Sequence, residues 1–287
     1  MLENNTIHLA EIASYLESIE QDATLYEEKN FARRTEAIDF IEFHLASAPD
    51  HLYRLKSALE DIDNKLFQQL QATIKEKGLT GTALKNIVAE YVGFEAEEPG
   101  YDTLDIFINR LFSFREIPQP TKQLEPEMVY YQKTPARIVF DLVESTHFTP
   151  EDVFVDIGSG MGQVTLLVHL LAGITVKGIE FEPAFCDYAK ACATELHLPR
   201  VTFINADARQ ANYSDGTIFF MFTPFRGAIL QEVLARLKRE SLRRKIRIIT
   251  YGPCTAEVAA QSWLKMLTPR EHNDYWVRPF SFCGSST

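Results

Sequence analysis

The sequence contains few cysteines and no long apolar run. Its four cysteines lie far apart, with no C-x-x-C pair and no histidine at ligand spacing, so we expect neither a disulfide framework nor a metal site. No stretch approaches the roughly 20 consecutive apolar residues that a membrane helix needs. The N-terminal residues do not show the basic region and apolar core of a signal peptide, and we therefore expect a cytoplasmic protein without a membrane partner.

Positive charge is also scarce. The chain has 29 Lys and Arg against 40 Asp and Glu, a net charge of −11, which argues against nucleic acid as a partner because a negative surface repels phosphates. The charge is unevenly placed: residues 1–126 hold 23 acidic and 12 basic residues, whereas residues 127–287 hold 17 of each. This shift in composition indicates a domain boundary.

The residues before the boundary have the pattern of a helical domain. Their apolar residues recur at helical spacing, and the longest run, from Leu52 to Ile74, stops before Gly78, as a helix would. Two shorter helices are predicted over 80–92 and 102–114, the second with Asp102 as its N-cap.

A proline-rich segment follows these helices. Its prolines Pro118, Pro120 and Pro126 favour an extended connector, since proline cannot donate the backbone hydrogen bonds of a helix. The sequence therefore predicts a helical N-terminal domain over 1–116, a linker over 117–127 and a second domain over 128–287.

The second domain reads as an α/β fold. Short apolar runs alternate with helical segments, which predicts a Rossmann-like, mostly parallel sheet covered on both faces. The runs are DVFVDIGSG, TVKGIEFEP, VTFINADA, GTIFFMFTPF, IRIITYGP and finally YWVRPFSF at residues 275–282.

The first of these runs leads into a glycine-rich turn. Gly158, Gly160 and Gly162 have the spacing G-x-G-x-G, and glycines at such a turn let the backbone approach a ligand closely. Gln163 stands where the dinucleotide-binding fingerprint has its third glycine, which weakens a nicotinamide-cofactor hypothesis. A nucleoside triphosphate loop is excluded, because no G-x-x-x-x-G-K-[ST] occurs.

Acidic residues stand at the ends of three successive predicted strands. Asp156 comes just before the glycine turn, Glu180 ends the second strand and Asp207 follows the third. In a parallel sheet these ends meet at one edge, where a carboxylate can accept hydrogen bonds from ribose hydroxyls or an adenine amino group. An acid beside the turn disfavours phosphate and suits a cationic ligand, and S-adenosylmethionine carries an ammonium and a sulfonium group.

At these residues the second domain resembles class I S-adenosylmethionine-dependent methyltransferases, and VFVDIGSGMGQV resembles the loop of the Dot1-type lysine methyltransferases. The resemblance covers roughly residues 127–287 and implies a seven-stranded sheet. It implies that Asp156 and the three glycines bind the methionine side of the cofactor, Glu180 the ribose and Asp207 the adenine. The remaining cofactor-binding residues that we predict are Tyr131, Thr134, Ser159, Gln163, Phe181, Ala208 and Phe222.

Thr134 belongs to a Y-x-x-T-P segment that many of these enzymes fold over the methionine end of the cofactor. The resemblance implies that its hydroxyl donates to the cofactor carboxylate near a helix N-terminus, where an anion is favoured. Locally, a simple N-cap threonine followed by proline explains the segment equally well.

The fourth predicted strand ends where this fold usually presents groups to the methyl acceptor. Phe222 and Thr223 replace the polar residue and the proline that are typical of enzymes methylating nucleobase amines, so a methylated base is disfavoured. The catalytic residue is unknown. Candidate groups are the Thr223 hydroxyl, the Phe225 ring as a cation–π partner, and Arg226, which either holds an acidic substrate group or is solvated. His147 and His169 are interpreted as structural.

A basic cluster lies between the fourth and fifth predicted strands. It has three interpretations: a surface for nucleic acid or another acidic partner, an intramolecular or homodimer contact with the acidic N-terminal region, or a solvated helix face, which we favour. Its members are Arg236, Lys238, Arg239, Arg243, Arg244, Lys245 and Arg247.

The sequence as a whole predicts a methyltransferase that transfers a methyl group from S-adenosylmethionine to an amine or other nucleophile of a protein side chain or small metabolite. One alternative is a non-catalytic binding protein that retains the fold. Another is an NAD-dependent oxidoreductase, which the missing third glycine opposes.

Overall fold

A computed structural model describes residues 2–44, 50–93, 100–114, 116–267 and 280–284. The chain divides into two compact units, one comprising Met1–Thr73 with Asn86–Glu95 and the other Ile74–Lys85 with Ala96–Thr287. Within the described residues, no helix is both long enough and apolar enough to cross a membrane.

The first part of the chain is helical, as its periodicity predicts. Its elements are α1 (Leu2–Gln21), a 3-10 helix (Ala23–Tyr26), α2 (Phe31–His44), α3 (Asp50–Lys77), α4 (Thr82–Tyr91) and α5 (Thr103–Leu111). The helix α3 ends just before Gly78, and Asp102 caps α5 through a hydrogen bond from the Leu104 amide. Both features were expected from the sequence.

The helices α6–α10 alternate with the strands β1–β5, except that β4 follows β3 with no helix between them. The helices are α6 (Ala136–Ser145), α7 (Gln163–Ala172), α8 (Pro183–Glu195), α9 (Gly227–Ser241) and α10 (Cys254–Ala259). The strands are β1 (Val153–Ile157), β2 (Thr175–Glu180), β3 (Val201–Asn205), β4 (Ile218–Met221), β5 (Ile246–Thr250), β6 (Lys265–Met266) and β7 (Phe280–Gly284).

The seven described strands form one sheet in the order β3-β2-β1-β4-β5-β7-β6. The strands β1 to β5 pair in parallel, and β7 lies antiparallel between β5 and β6. This confirms the predicted mostly parallel, Rossmann-like sheet. The chain reverses its direction of winding between β1 and β4, and in such sheets ligands bind beyond the carboxyl ends of the strands at this point.

The last two described strands, β6 and β7, differ in detail from the prediction. The strand β6 was not expected, because two residues are too few to show a periodic pattern. The last strand begins at Phe280 and ends at Gly284, whereas the sequence suggested one over 275–282. Residues 275–279 of that run lie outside the described residues.

The helix α5 lies within the second compact unit, although the sequence pattern placed it with the helical domain over 1–116. Its Asp105 side chain accepts a hydrogen bond from the first amide of α6 at 2.9 Å. Its neighbour Asp102 forms an ion pair with Arg137 of the same helix. The predicted boundary at residue 116 stays a prediction, but these contacts tie α5 to the start of the α/β fold.

A buried ion pair organises the first unit. The side chains of Arg34 in α2 and Asp63 in α3 are both fully buried, and the Arg34 Nε atom lies 2.6 Å from the Asp63 carboxylate. The guanidinium also donates to the backbone carbonyls of Leu25, Glu27 and Glu28. One side chain therefore fastens α2 to α3 and to the loop around the 3-10 helix.

The Asp63→Asn variant should lower the free energy of unfolding by about 3–5 kcal/mol, because it leaves the Arg34 charge buried without a counter-ion. Asp61→Asn is the matched control: Asp61 lies on the same helix but is exposed, and its change should stay within about 0.5 kcal/mol. Denaturant titration followed by circular dichroism measures both. Equal effects of the two variants would show that the ion pair contributes little.

Candidate functional site

A cavity of about 830 Å³ lies at the carboxyl ends of β1, β2, β3 and β4. Its position is the one that the reversal of strand order predicts, and its volume is within the range of small-molecule sites. The structure brings together there seven of the residues predicted to bind cofactor, namely Tyr131, Gly158, Glu180, Phe181, Asp207, Ala208 and Phe222.

The glycine turn adopts a backbone that other residues rarely adopt. Gly158, Gly160 and Gly162 have φ angles of 83°, 54° and 86°, in the left-handed region. There is also no room for a side chain: a Cβ atom on Gly158 would lie 2.4 Å from Pro224, and one on Gly160 would lie 2.2 Å from the Tyr131 ring. Conformation and close packing both require glycine in this turn.

Glu180 holds the glycine turn in place. Its buried carboxylate accepts the Gly160 amide at 2.7 Å and the Glu182 amide at 2.7 Å. Burial raises its pKa, although these amides favour the ionised form. The Phe181 amide is a further backbone partner. A carboxylate has about four acceptor sites, so Glu180 can still accept a ribose hydroxyl from the cavity that it lines.

Asp156 lies beneath the turn and does not line the cavity. Its carboxylate is buried and accepts a hydrogen bond from the Thr165 hydroxyl at 3.0 Å. Burial raises the pKa of Asp156 to about 7, against the hydrogen bond from Thr165, and the neighbouring Glu180 charge adds to the rise. A cation bound at the turn would favour the ionised form of this carboxyl.

Two buried polar atoms of the turn have no hydrogen-bond partner. They are the Ser159 hydroxyl oxygen and the Gln163 amide oxygen, while the Gln163 amide nitrogen donates to the Thr134 carbonyl at 3.0 Å. An unpaired buried acceptor is costly. The ammonium group of S-adenosylmethionine is a donor of the kind that these atoms lack, so the residues of the turn fit the cofactor.

Tyr131 packs against the glycine turn, and burial raises the pKa of its hydroxyl. Thr134 is buried and does not line the cavity. The first amide of α6 nearby is already bonded to Asp105, so the helix N-terminus that was expected to attract the cofactor carboxylate carries a carboxylate of the chain itself. The role of Thr134 in cofactor binding stays a prediction.

Asp207 also has a partner within the chain. Its carboxylate accepts from Arg209, whose guanidinium reaches Asp207 at 2.5 Å and Glu125 at 2.5 Å. The Arg209 side chain, more than any other contact, lowers the pKa of Asp207. Its predicted contact with adenine would use the acceptor capacity that remains beside this ion pair. Arg209 was missed by the sequence analysis, since no motif marks it.

The segment of residues 117–132, which we call the strap and which includes the predicted linker over 117–127, lines one side of the cavity. Its Thr121 hydroxyl and Lys122 amide donate to Glu182 at 2.6 and 2.8 Å. Burial of Glu182 opposes its ionisation, but these bonds and its cap on α8 outweigh the burial and lower its pKa to about 2. The acid before Pro183 was a readable N-cap signal.

The strap also reaches the loop after β4. The Val129 amide donates to the Pro224 carbonyl at 3.0 Å, and the Arg226 amide donates to the Glu127 carbonyl at 2.9 Å. The Glu127 carboxylate accepts the Ile229 amide at 2.9 Å, which caps α9. The strap is therefore anchored beside β2, β3 and β4, across the whole edge where the cofactor is expected.

The three acceptor-side candidates differ in their surroundings. Thr223 has a φ angle of 40°, and its hydroxyl donates to the Tyr251 carbonyl and accepts the Cys254 amide. Phe225 is buried in a core cluster, forms a backbone bridge with Met128 and also lines the cavity. Arg226 is exposed at the cavity mouth. The expected substrate contacts stay predictions, and the structure gives Thr223 and Phe225 packing roles that the sequence did not reveal.

Several members of the basic cluster make hydrogen bonds or ion pairs within the fold. Arg244 donates to the carbonyls of Tyr213 and Gly216, Arg236 donates to that of Ala211, and Arg247 pairs with Asp152. The other four members are exposed.

His169 is one of the two histidines interpreted from the sequence as structural. Its buried ring lies 2.7 Å from the Ile174 carbonyl, and burial lowers its pKa.

Residues 125–224 of the 287 match a family model described as histone methylation protein DOT1. No curated protein matches the chain. Among solved structures, an RNA methyltransferase from Salinibacter ruber in complex with S-adenosyl-L-homocysteine is 18% identical, with 53% of this chain and 92% of that chain covered and a TM-score of 0.41. A precorrin-6y C5,15-methyltransferase from Geobacter metallireducens is 14% identical, with 56% and 93% covered and a TM-score of 0.41.

The sheet order, the glycine turn and the DOT1 match identify the class. The chain carries a class I S-adenosylmethionine-dependent methyltransferase domain and is an enzyme that uses S-adenosylmethionine as its cofactor. Its residues 125–224 have Dot1-type features. The two alternatives that the sequence left open, an NAD-dependent oxidoreductase and a non-catalytic binding protein, are therefore set aside.

Cofactor binding should strengthen as the pH rises from 6 to 7. Asp156 is largely neutral below its pKa of about 7, and the cofactor ammonium favours the carboxylate, so affinity for S-adenosylhomocysteine should rise by about fivefold and level off above pH 8. The same raised pKa makes the ligand-free protein lose stability as the pH rises from about 4 through 7.

Calorimetric titration of S-adenosylhomocysteine between pH 6 and 8.5 measures this dependence. The control is Asp156→Asn, in which the dependence on pH should largely disappear. An unchanged profile in that variant would assign the titrating group elsewhere.

Proposed function

We propose that this methyltransferase acts on the amine of a protein side chain, with lysine as the preferred residue. The observation that carries the proposal is the rim of the cavity, which exposes apolar side chains of the strap: Tyr130 is 85% exposed, Ile117 53% and Val129 41%. Exposed apolar groups at the mouth of a site are typical of surfaces that bind another polypeptide.

The charges that line the cavity favour an amine over a phosphate-bearing acceptor. Carboxylates outnumber cations there, with Glu180, Glu182, Asp207 and Glu257 against Lys122 and Arg226. Such a lining attracts a cationic side chain and repels a nucleic-acid backbone. The description of the matched family names histones, and core histones are therefore the first acceptor to test.

The proposed reaction asks little acid or base chemistry of the protein. Bound S-adenosylmethionine would supply a methyl group on a sulfonium, which a neutral amine could accept with release of S-adenosylhomocysteine. No histidine is among the described residues that line the cavity. We propose that the lysine ammonium loses its proton to water before the transfer, which frees the nitrogen lone pair to attack. The chain's contribution is alignment and exclusion of water.

The loop after β4 provides that alignment. Pro224 packs on Gly158 of the glycine turn, and the Thr223 hydroxyl ties the loop to the backbone after β5. In the proposed reaction, acceptor and cofactor are thereby held on backbone segments that contact each other.

We also propose a cytoplasmic compartment. The four cysteines are free thiols, which supports this proposal because thiols persist where the environment is reducing.

Tyr130→Ala should raise the KM for core histones at least fivefold, about 1 kcal/mol, and leave the KM for S-adenosylmethionine unchanged. Leu242→Ala is the matched control, since Leu242 is 64% exposed but lies outside the cavity lining. Tritium transfer measures the rates, and mass spectrometry identifies methyl-lysine. Equally efficient methylation of Nα-acetyl-lysine amide would instead favour a small-molecule acceptor.

With saturating cofactor, the rate should rise about tenfold per pH unit between pH 7 and 9, because the neutral fraction of a lysine amine with a pKa of about 10.4 rises tenfold per unit. Initial rates with core histones measure the slope. A bell-shaped profile with a lower pKa would contradict the proposed proton path and indicate a base on the protein.

A further inference from the structure

Residues 101–109, which we call the brace, make four contacts with Lys133 and the first two residues of α6. The brace precedes the segment that matches the DOT1 model. It consists of Tyr101, Asp102 and residues 103–109 of α5. The contacts run from the Tyr101 hydroxyl to the Lys133 carbonyl, from Lys133 Nζ to the Asn109 amide oxygen at 2.7 Å, from the Ala136 amide to Asp105 at 2.9 Å, and from Arg137 to Asp102.

Asp105 is the most buried acidic group of the brace. One carboxylate oxygen accepts the Ala136 amide and the other accepts the Asp102 amide at 3.0 Å. The N-cap of α6 is Pro135, which makes no side-chain cap hydrogen bond. Asp105 therefore supplies, from another helix, the acceptor that the N-terminus of α6 otherwise lacks.

The contacts continue from α6 to the glycine turn. Residues 131–136, which we call the cover segment, include Tyr131, whose ring packs on Gly160. They also include Thr134, whose carbonyl accepts the Gln163 amide nitrogen. The position of the cover segment thus depends on the turn at one end and on Asp105 at the other.

We propose that Asp105 is a positioning residue of the cofactor site: it touches no cofactor but holds the cover segment over the glycine turn. If the cover segment occupies this position in only a fraction of the molecules, the apparent dissociation constant of the cofactor rises by the inverse of that fraction. The inference rests on the cofactor and needs no assumption about the methyl acceptor.

Asp105→Ala tests the proposal, with S-adenosylhomocysteine as the probe in calorimetry well below the unfolding temperature. Its affinity should fall about tenfold, as expected if the cover segment is in place in a tenth of the molecules. Asp105→Asn keeps one carbonyl oxygen for the Ala136 amide and should recover most of this loss. Hydrogen exchange of the Ala136 amide should be faster in the Ala variant than in the Asn variant.

Ile108→Ala is the matched control, because Ile108 is fully buried on the same helix but makes no side-chain hydrogen bond to the cover segment. It should lower the unfolding temperature and leave the affinity within twofold. Tyr101→Phe removes only an exposed hydroxyl that bonds to the Lys133 carbonyl, so folding is not at risk, and it should weaken binding two- to fivefold.

Unchanged affinity in both Asp105→Ala and Tyr101→Phe would overturn the proposal, as would equal losses in Asp105→Ala and Ile108→Ala. If Asp105→Ala does not fold, the result with Tyr101→Phe decides. Failure of the wild-type protein to bind S-adenosylhomocysteine would contradict the cofactor itself, which distinguishes the two outcomes.

Discussion

The site depends on the close approach of other groups to the backbone of residues 158–162. Three glycines with positive φ angles leave room for the Tyr131 ring, for Pro224 and for the Phe203 ring at positions where any side chain would collide. Each of these neighbours comes from a different part of the fold. Because the turn admits all three, the cover segment, the acceptor-side loop and β3 meet around one short stretch of chain.

Buried acids around this turn add an electrostatic constraint. Burial raises the pKa of both Asp156 and Glu180. The Glu180 charge adds to the rise at Asp156, and the Glu182 charge adds to the rise at Glu180, because like charges repel. The ligand-free site is therefore less stable when both are ionised. A cofactor with an ammonium and a sulfonium offsets this repulsion, which explains why a cationic ligand suits a turn that would reject a phosphate.

Carboxylates also hold the strap in place at the edge of the cavity. Its backbone and side chains satisfy Glu182 after β2, its Glu125 shares Arg209 with Asp207 after β3, and its Glu127 caps α9 after β4. Carboxylates thus fasten an otherwise irregular segment to three strand ends. The exposed apolar residues of the strap are consequently presented at the mouth of the cavity.

The sequence by itself determined the parts of this protein that depend on neighbouring residues. Apolar runs separated by helical segments predicted the parallel sheet, glycine spacing predicted the left-handed turn, and chain order alone brought Asp156, Glu180 and Asp207 to one edge, because parallel strands end on the same side. The helix ends at Lys77 and the cap at Asp102 were readable for the same reason.

Only the tertiary structure decided which polar groups are left for a ligand. Arg209 forms an ion pair with Asp207, the Thr223 hydroxyl accepts an amide near its own loop, and Asp105 caps α6. Each of these contacts arises from tertiary packing. The last of these spans 31 positions of the chain. No local pattern records such partners, because a hydrogen bond between distant segments depends on how loops pack, and periodicity describes only the elements between the loops.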